Sequence, residues 1–408
     1  MKYKVVYICE LGSGSGSGSN YEQLLRLHDI TKECGDAGHD VTVVVRDLIS
    51  ASALINKLSM TVLQAPVFLP RLRLNRQLVC LADTLQLSGY EHINTLLPLV
   101  KAWQALLVLL QADVLIFDQA PTALLAASNF NCTRLIVGNG FNIPVAGYKL
   151  TDWQPMQSRA ELIEEQEKQV LKVINQVQRK LDLPVSATIS ELYRCNRVMI
   201  DSFPQLDIYR ELRSNVTYYT SMSTYLPPVF SFTQIEKPRV VCQLDPSYKK
   251  FTPLVEALRA SGCEVLVVFA GGDAEALKPY QSESLQFTTL MPAMDLIIRE
   301  TDIFIGHGNI GSATACMRLG KPMLILPMHL EQLHVGLSLQ AIGIAKVLAD
   351  QVSASDYQRA LTALLGNIKL RTTVRTFATN NRVYTQSTFG KGVVAAIDDN
   401  NKREQKIV

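Results

Sequence analysis

The sequence predicts an α/β protein built on two doubly wound parallel sheets, and three observations predict it. Short apolar runs with the look of buried strands recur along the 408 residues, each followed by a loop and usually a helical pattern. These runs fall into two series, separated by a Pro-rich, poorly periodic stretch at 226–238. The segment from Asp302 to Gln332 then reads strand, Gly-rich turn, helix, Gly, Pro, strand, which is half of a βαβ unit.

The first series comprises 5–8, 41–45, 114–117, 135–137 and 198–200. The second comprises 240–242, 265–269, 303–305 and 323–326. Runs this apolar suit strands covered on both faces, as in parallel sheets. The expected organisation is an N-terminal domain at 1–225, a linker at 226–238 and a C-terminal domain at 239–385. A helix and polar tail at 386–408 is expected to cross back to the first domain, its end frayed from Asp399 to Lys406. The charged helix at 160–181 reads as a solvent-facing excursion. The apolar residues 96, 99, 100, 103, 106, 107 and 110 follow one helical face, so that helix packs on the core.

Hydrophobic residues make up 48% of the chain and charged ones 19%, which indicates a globular protein. A formal net charge of +3 is too balanced for a nucleic-acid surface, so no nucleic-acid partner is expected. No stretch reads as an integral membrane span, and residues 2–8 read as a first strand rather than a signal peptide. Eight cysteines without a C-x-x-C pair suggest buried free thiols and a cytoplasmic location. The sequons at Asn131 and Asn215 would then go unused. Residues 12–19 alternate Gly and Ser strictly, the composition of a flexible linker, as an engineered replacement or an atypical loop. They do not spell G-x-G-x-x-G.

The chemistry concentrates at 303–332. The strand at 303–305 ends in a Gly-rich turn, Gly311-Ser312 opens a helix, and Gly320 and Pro322 close it. Free backbone N–H groups at a helix N-terminus form a site for phosphate. His307 and Ser312 add side-chain donors, so a pyrophosphate could sit there without a metal. Ser312 reads equally as an N-cap, and Gly308 and Gly311 as turn residues. His329 and His334 lack metal-ligand spacing, and no metal site is expected.

This stretch resembles the donor signature of GT-B glycosyltransferases of the UDP-glycosyltransferase superfamily, bacterial branch. The family pattern is H-G-G-x-G-[ST], then G-x-P, then P-x-x-x-[DE]-Q. Here it stands as His307-Gly308-Asn309-Ile310-Gly311-Ser312, Gly320-Lys321-Pro322, and Pro327 with Glu331-Gln332. Gly38-His39-Asp40-Val41, the strand ending at Asp118, and Gly138-Asn139-Gly140-Phe141-Asn142-Ile143-Pro144 resemble further family segments. The resemblance implies two Rossmann-like domains facing a central cleft. It implies a donor site at Met291, His307, Gly308, Asn309, Gly311, Ser312, Glu331 and Gln332, with the diphosphate on the turn and the sugar on Glu331-Gln332.

Three departures stand out. The second Gly of H-G-G is Asn309. The acidic ribose ligand expected three residues after Ser312 is Ala315. The family's catalytic histidine, expected near Gln23, is absent. Asp118, which in the family orients that histidine, is left as the candidate catalytic carboxylate, or as a turn residue. Failing it, the base would be Glu22, His28 or the acceptor itself, although His28 reads first as a helix-surface residue.

The expected function is metal-independent, inverting transfer of a sugar from a UDP-sugar or other NDP-sugar to a small acceptor, with no cofactor beyond the co-substrate. The acceptor is expected around 48–100 and 139–160, where Leu63, Val67, Phe68, Leu69 and Trp103 would suit a lipophilic natural product. A non-catalytic nucleotide-sugar-binding or partner-activating protein is the alternative, and a sugar-nucleotide epimerase is a third reading.

Overall fold

The structure, a computed structural model, describes residues 2–11, 17–48, 60–69, 74, 76–154, 158–221, 232–233, 236–348 and 353–404. Residues 12–16 of the Gly-Ser repeat and most of the expected linker lie outside the described residues; Ser17 already opens a helix, Ser17–Asp36.

Two parallel sheets form the frame. The first has seven strands in the order β3-β2-β1-β4-β5-β6-β7. These are β1 Lys4–Cys9, β2 Asp40–Val45, β3 Thr61–Gln64, β4 Val114–Asp118, β5 Thr133–Gly138, β6 Arg197–Asp201 and β7 Val216–Tyr219. The second has six strands in the order β10-β9-β8-β11-β12-β13. These are β8 Arg239–Gln243, β9 Glu264–Val268, β10 Leu285–Thr288, β11 Ile303–Gly306, β12 Met323–Ile325 and β13 Ala345–Val347. The central strands are buried on both faces, as parallel pairing with helices on either side requires. In each sheet the order reverses beside a central strand, and loops at the carboxyl ends of such strands are where open α/β sheets bind ligands.

Two helical expectations change. Helix Ala160–Lys180 is no outlying excursion. Its Ile163, Val170, Ile174 and Val177 join the N-terminal core beside Trp103 and Leu107, with Glu167 buried among them to accept the Leu150 N–H. Helix Ile93–Leu110 is, contrary to expectation, long and apolar enough by length and composition to cross a membrane. It nevertheless carries Pro98 and Lys101, and Leu96, Val100, Trp103 and Leu107 are buried in the core, with Leu109 on the exposed face.

The C-terminal helix Phe389–Glu404 reaches the first sheet. Phe389, Val393, Ala396 and Ile397 pack against β1, β2 and helix Ser17–Asp36. A Cβ on Gly390 would lie 2.5 Å from the Asp29 carbonyl, so the two helices cross at backbone distance. The helix runs to Glu404, through most of the segment expected to fray.

Candidate functional site

The carboxyl ends of β1 and β4 face the carboxyl ends of β8, β11 and β12 across a cleft. On the C-terminal side β11 runs into Gly308, whose φ of +95° is the left-handed region that favours glycine. A Cβ there would stand 2.8 Å from the Gln332 carbonyl, so the turn and the start of helix Leu330–Ala341 are in backbone contact. Helix Ile310–Leu319 follows, long enough for its first-turn amides to carry a useful dipole.

The expected donor residues are brought together, but several are already engaged. The His307 Nε2 accepts the Asp245 N–H at 2.9 Å, and its Nδ1 lies 2.8 Å from the Leu326 carbonyl. The ring is therefore the neutral Nδ1–H tautomer, consistent with burial lowering its pKa. With both nitrogens spent on backbone groups, His307 holds two loops together and has no free donor for phosphate. The Ser312 hydroxyl donates to Gln243 Oε1 at 2.5 Å, and Gln243 Nε2 points to the Met291 sulfur at 3.9 Å. Gln332 donates to Asn309 Oδ1 at 2.7 Å and accepts the Met328 N–H at 2.8 Å. Asn309 thereby pins the 328–332 loop through Gln332. Glu331 Oε1 accepts from Asn139 Nδ2 of the N-terminal domain at 2.6 Å, and burial raises its pKa.

The first-turn amide of Gly311 donates across the cleft to Glu22 Oε1 at 2.9 Å. A carboxyl group thus already sits where an anionic ligand would sit. Burial raises the Glu22 pKa to about 8, against the lowering effect of that hydrogen bond.

Asp118 lies deeper than expected. It is fully buried and accepts from the Tyr7 hydroxyl at 2.5 Å and from Arg26 Nε and Nη2 at 2.8 and 3.1 Å. Arg26 also lies 3.5 Å from Asp201. This carboxylate is surrounded by its own donors and does not line the apolar cavity beside Glu331. His28 is buried on helix Ser17–Asp36 rather than lying on its surface. His39, of the Gly-His segment, accepts the Tyr3 N–H at 3.4 Å and ties β1 to β2.

Beside Glu331 opens a cavity of about 440 Å³. The N-terminal domain contributes Leu78, Leu81, Leu87, Phe141 and Trp153; the C-terminal domain contributes Met328, His329, Leu330 and Glu331. The Phe141 and Trp153 rings pack with centroids 4.7 Å apart, tilted by 35°. Part of the wall, Gln77 to Leu87 and Phe141 to Trp153, lies in the stretches 48–100 and 139–160, but Leu11, Gln119, Pro121, Tyr193 and Met328 to Glu331 lie outside them, and Leu63, Val67, Phe68, Leu69 and Trp103 do not line it. Trp103 is core, and Phe68 packs over Gly89. His329 is accessible within the cleft, where desolvation lowers its pKa and keeps the ring neutral. Among the described residues no group of His, Cys, Asp or Glu is arranged to hold a metal ion, and all eight cysteines are free.

Solved structures match this fold over nearly the whole chain. The calicheamicin glycosyltransferase CalG4 superposes with a TM-score of 0.73 at 15% identity, covering 98% of each chain. The spinosyn rhamnosyltransferase SpnG, complexed with thymidine diphosphate, gives 0.67 at 14% identity, covering 98% of this chain and 100% of its own. The Streptomyces sp. SF2575 glycosyltransferase SsfS6, also with thymidine diphosphate, gives 0.66 at 14%, covering 97% and 99%. The fold is GT-B. No protein-family model matches the chain, and no curated protein does. The GT-B frame accounts for the two parallel sheets.

Proposed function

We propose that this GT-B protein transfers a sugar from a nucleoside-diphosphate sugar to a small apolar acceptor such as a natural-product aglycone. One observation carries the reading: Glu331 lines an apolar cavity of about 440 Å³ and its charge acts on Glu22, the carboxyl that occupies the anion-type seat on the Gly311 amide. The volume suits a drug-sized molecule. The glycosyltransferases that share the fold act, by name, on calicheamicin and spinosyn, and two of them hold thymidine diphosphate.

In this reading the diphosphate binds the amides from Gly308 to Ser312, with Ser312 and Met291 at its edge. His307 and Asn309 shape that turn, and Glu331 and Gln332 meet the sugar hydroxyls. The helix N-terminus takes the charge of the leaving diphosphate, with no metal required. The acceptor oxygen attacks the anomeric carbon from the opposite side, with inversion. His329 takes the acceptor proton, since it is neutral and lines the cavity beside Glu331. Asp118 acts at one remove, fixing Arg26 beneath the cleft. The sealing of Asp118 also keeps alive the non-catalytic alternative, a protein that binds nucleotide sugar without turnover.

The test is release of diphosphate from thymidine- and uridine-diphosphate sugars offered with a panel of apolar phenols and macrolactones. Turnover with at least one pair is expected. Diphosphate binding without turnover across the panel would favour the non-catalytic alternative, and no binding would remove both readings.

A further inference from the structure

The donor seat holds a carboxyl group in advance, and that group comes from the opposite domain. Besides the 2.9 Å hydrogen bond, a Cβ built on Gly311 would lie 3.0 Å from the Glu22 carboxyl carbon. The head group of Glu22 therefore lies directly over the first turn of helix Ile310–Leu319. Any phosphate that takes the Gly311 amide must displace the Glu22 carboxyl from it.

Two ionised groups do not share such a site, because like charges at contact distance disfavour ionisation of the weaker acid. The surroundings reinforce this. Glu331 and Asp201 face Glu22 with negative charge, and Arg26 opposes them. Arg26, however, is committed to Asp118 through two hydrogen bonds. Burial and these carboxylates already favour the acid form of Glu22 at neutral pH, and an arriving diphosphate shifts it further the same way.

We propose that Glu22 is a catalytic hydrogen-bond donor, which yields the Gly311 amide to the diphosphate and gives its carboxylic O–H to the phosphate that departs. This role rests on the donor site proposed above. The acceptor oxygen forms its bond to the anomeric carbon, and its proton passes to His329. The bond from anomeric carbon to phosphate oxygen breaks, and its electron pair stays on that oxygen. Glu22 shares its proton with the phosphate as this charge develops and keeps it when the nucleotide leaves. A neutral acid thus supplements the helix dipole at a site of developing negative charge.

The full chain, Glu22→Gln and Glu22→Ala are titrated with thymidine diphosphate and uridine diphosphate between about pH 7 and about pH 9.5, above the phosphate's own titration near about 6. An amide also donates, so Glu22→Gln is expected to keep binding and to lose its pH dependence. Glu22→Ala is expected to bind roughly tenfold more weakly or worse, the scale of one hydrogen bond to a charged group. Wild-type affinity is expected to fall roughly tenfold as pH rises through the window, because the bound form holds a proton that the free form releases. Alanine binding as tightly as wild type, or tighter, would show that Glu22 merely competes for the seat and would overturn the proposal. So would a glutamine variant as weak as alanine, or a wild-type affinity that does not change with pH. If Glu22→Ala does not fold, the glutamine variant and the pH series decide. Absence of binding by the wild type would instead overturn the donor site itself.

Discussion

Replacing Asp118 by Asn separates two accounts of this carboxylate. If Asp118 were the proton acceptor, the near-isosteric amide would abolish turnover and leave the fold and diphosphate affinity intact. The structure argues for a different outcome. Asp118 is fully buried and is the hydrogen-bonding partner of Arg26, whose own exposure is 3%, and of the Tyr7 hydroxyl. An amide presents one acceptor oxygen and turns an N–H₂ toward a guanidinium or a hydroxyl. Arg26 is then left with Asp201 at 3.5 Å as its charged partner. Removing one partner of a buried ion pair costs about 3–5 kcal/mol. In a unit of about 150–250 residues each kcal/mol moves the melting midpoint by about 2–4 °C, so the first transition should fall by roughly 6–20 °C. Differential scanning calorimetry of Asp118→Asn reads this directly. A variant that melts with the wild type, binds diphosphate normally and does not turn over would refute the reasoning and make Asp118 the base.

Further outcomes follow from single contacts. Gly308→Ala must place a Cβ 2.8 Å from the Gln332 carbonyl at a φ of +95°, so it should destabilise the C-terminal unit by about 1–3 kcal/mol, measured by denaturant unfolding. His329→Gln should lower kcat by about 10²–10⁴-fold with diphosphate affinity unchanged. Its removal should also abolish the fall in rate at low pH, which in the wild type begins below the ordinary histidine value because the His329 pKa is lowered. Leu87→Asn, on the cavity wall, should raise KM for apolar acceptors by about tenfold, the loss of one well-buried aliphatic contact, while the donor Kd stays fixed. Burial raises the Glu10 carboxyl to about 7 while it caps Thr122 and Ala123. Its folded pKa exceeds its unfolded value, so the stability it contributes is full below the unfolded pKa near about 4.5 and is lost as pH rises through the folded one. Glu10→Gln, which can still accept both N–H groups, should flatten the decline in melting midpoint between those values.

The nine strands read from the sequence are all present, and each is an apolar run in the interior of its sheet. The four that were not read are β3, β7, β10 and β13, the two edges of each sheet. They are three or four residues long and mostly half-buried, so no apolar run marks them; pairing with a neighbour makes them strands. The turn at Gly308 to Ser312 was legible because a backbone-to-backbone approach demands glycine. The engagement of His307 by Asp245 and Leu326 was not, since it depends on two loops distant in sequence. Glu22 illustrates the same limit. A carboxylate on a helix carries no mark of the amide it meets 289 residues later. The cavity lining at Leu78 to Leu87 was legible only as a broad stretch, because apolar core and apolar pocket share one composition.

The central claim is that the amide turn of the C-terminal domain binds a nucleoside diphosphate through its backbone and not through a metal. Isothermal titration of the full chain with thymidine diphosphate and uridine diphosphate in excess EDTA tests it most directly. Saturable one-to-one binding, weakened at least tenfold by Gly311→Asp, which places a fixed carboxylate in the seat, is the predicted result. No heat with either nucleotide in EDTA, or binding that Gly311→Asp leaves unchanged, would contradict it.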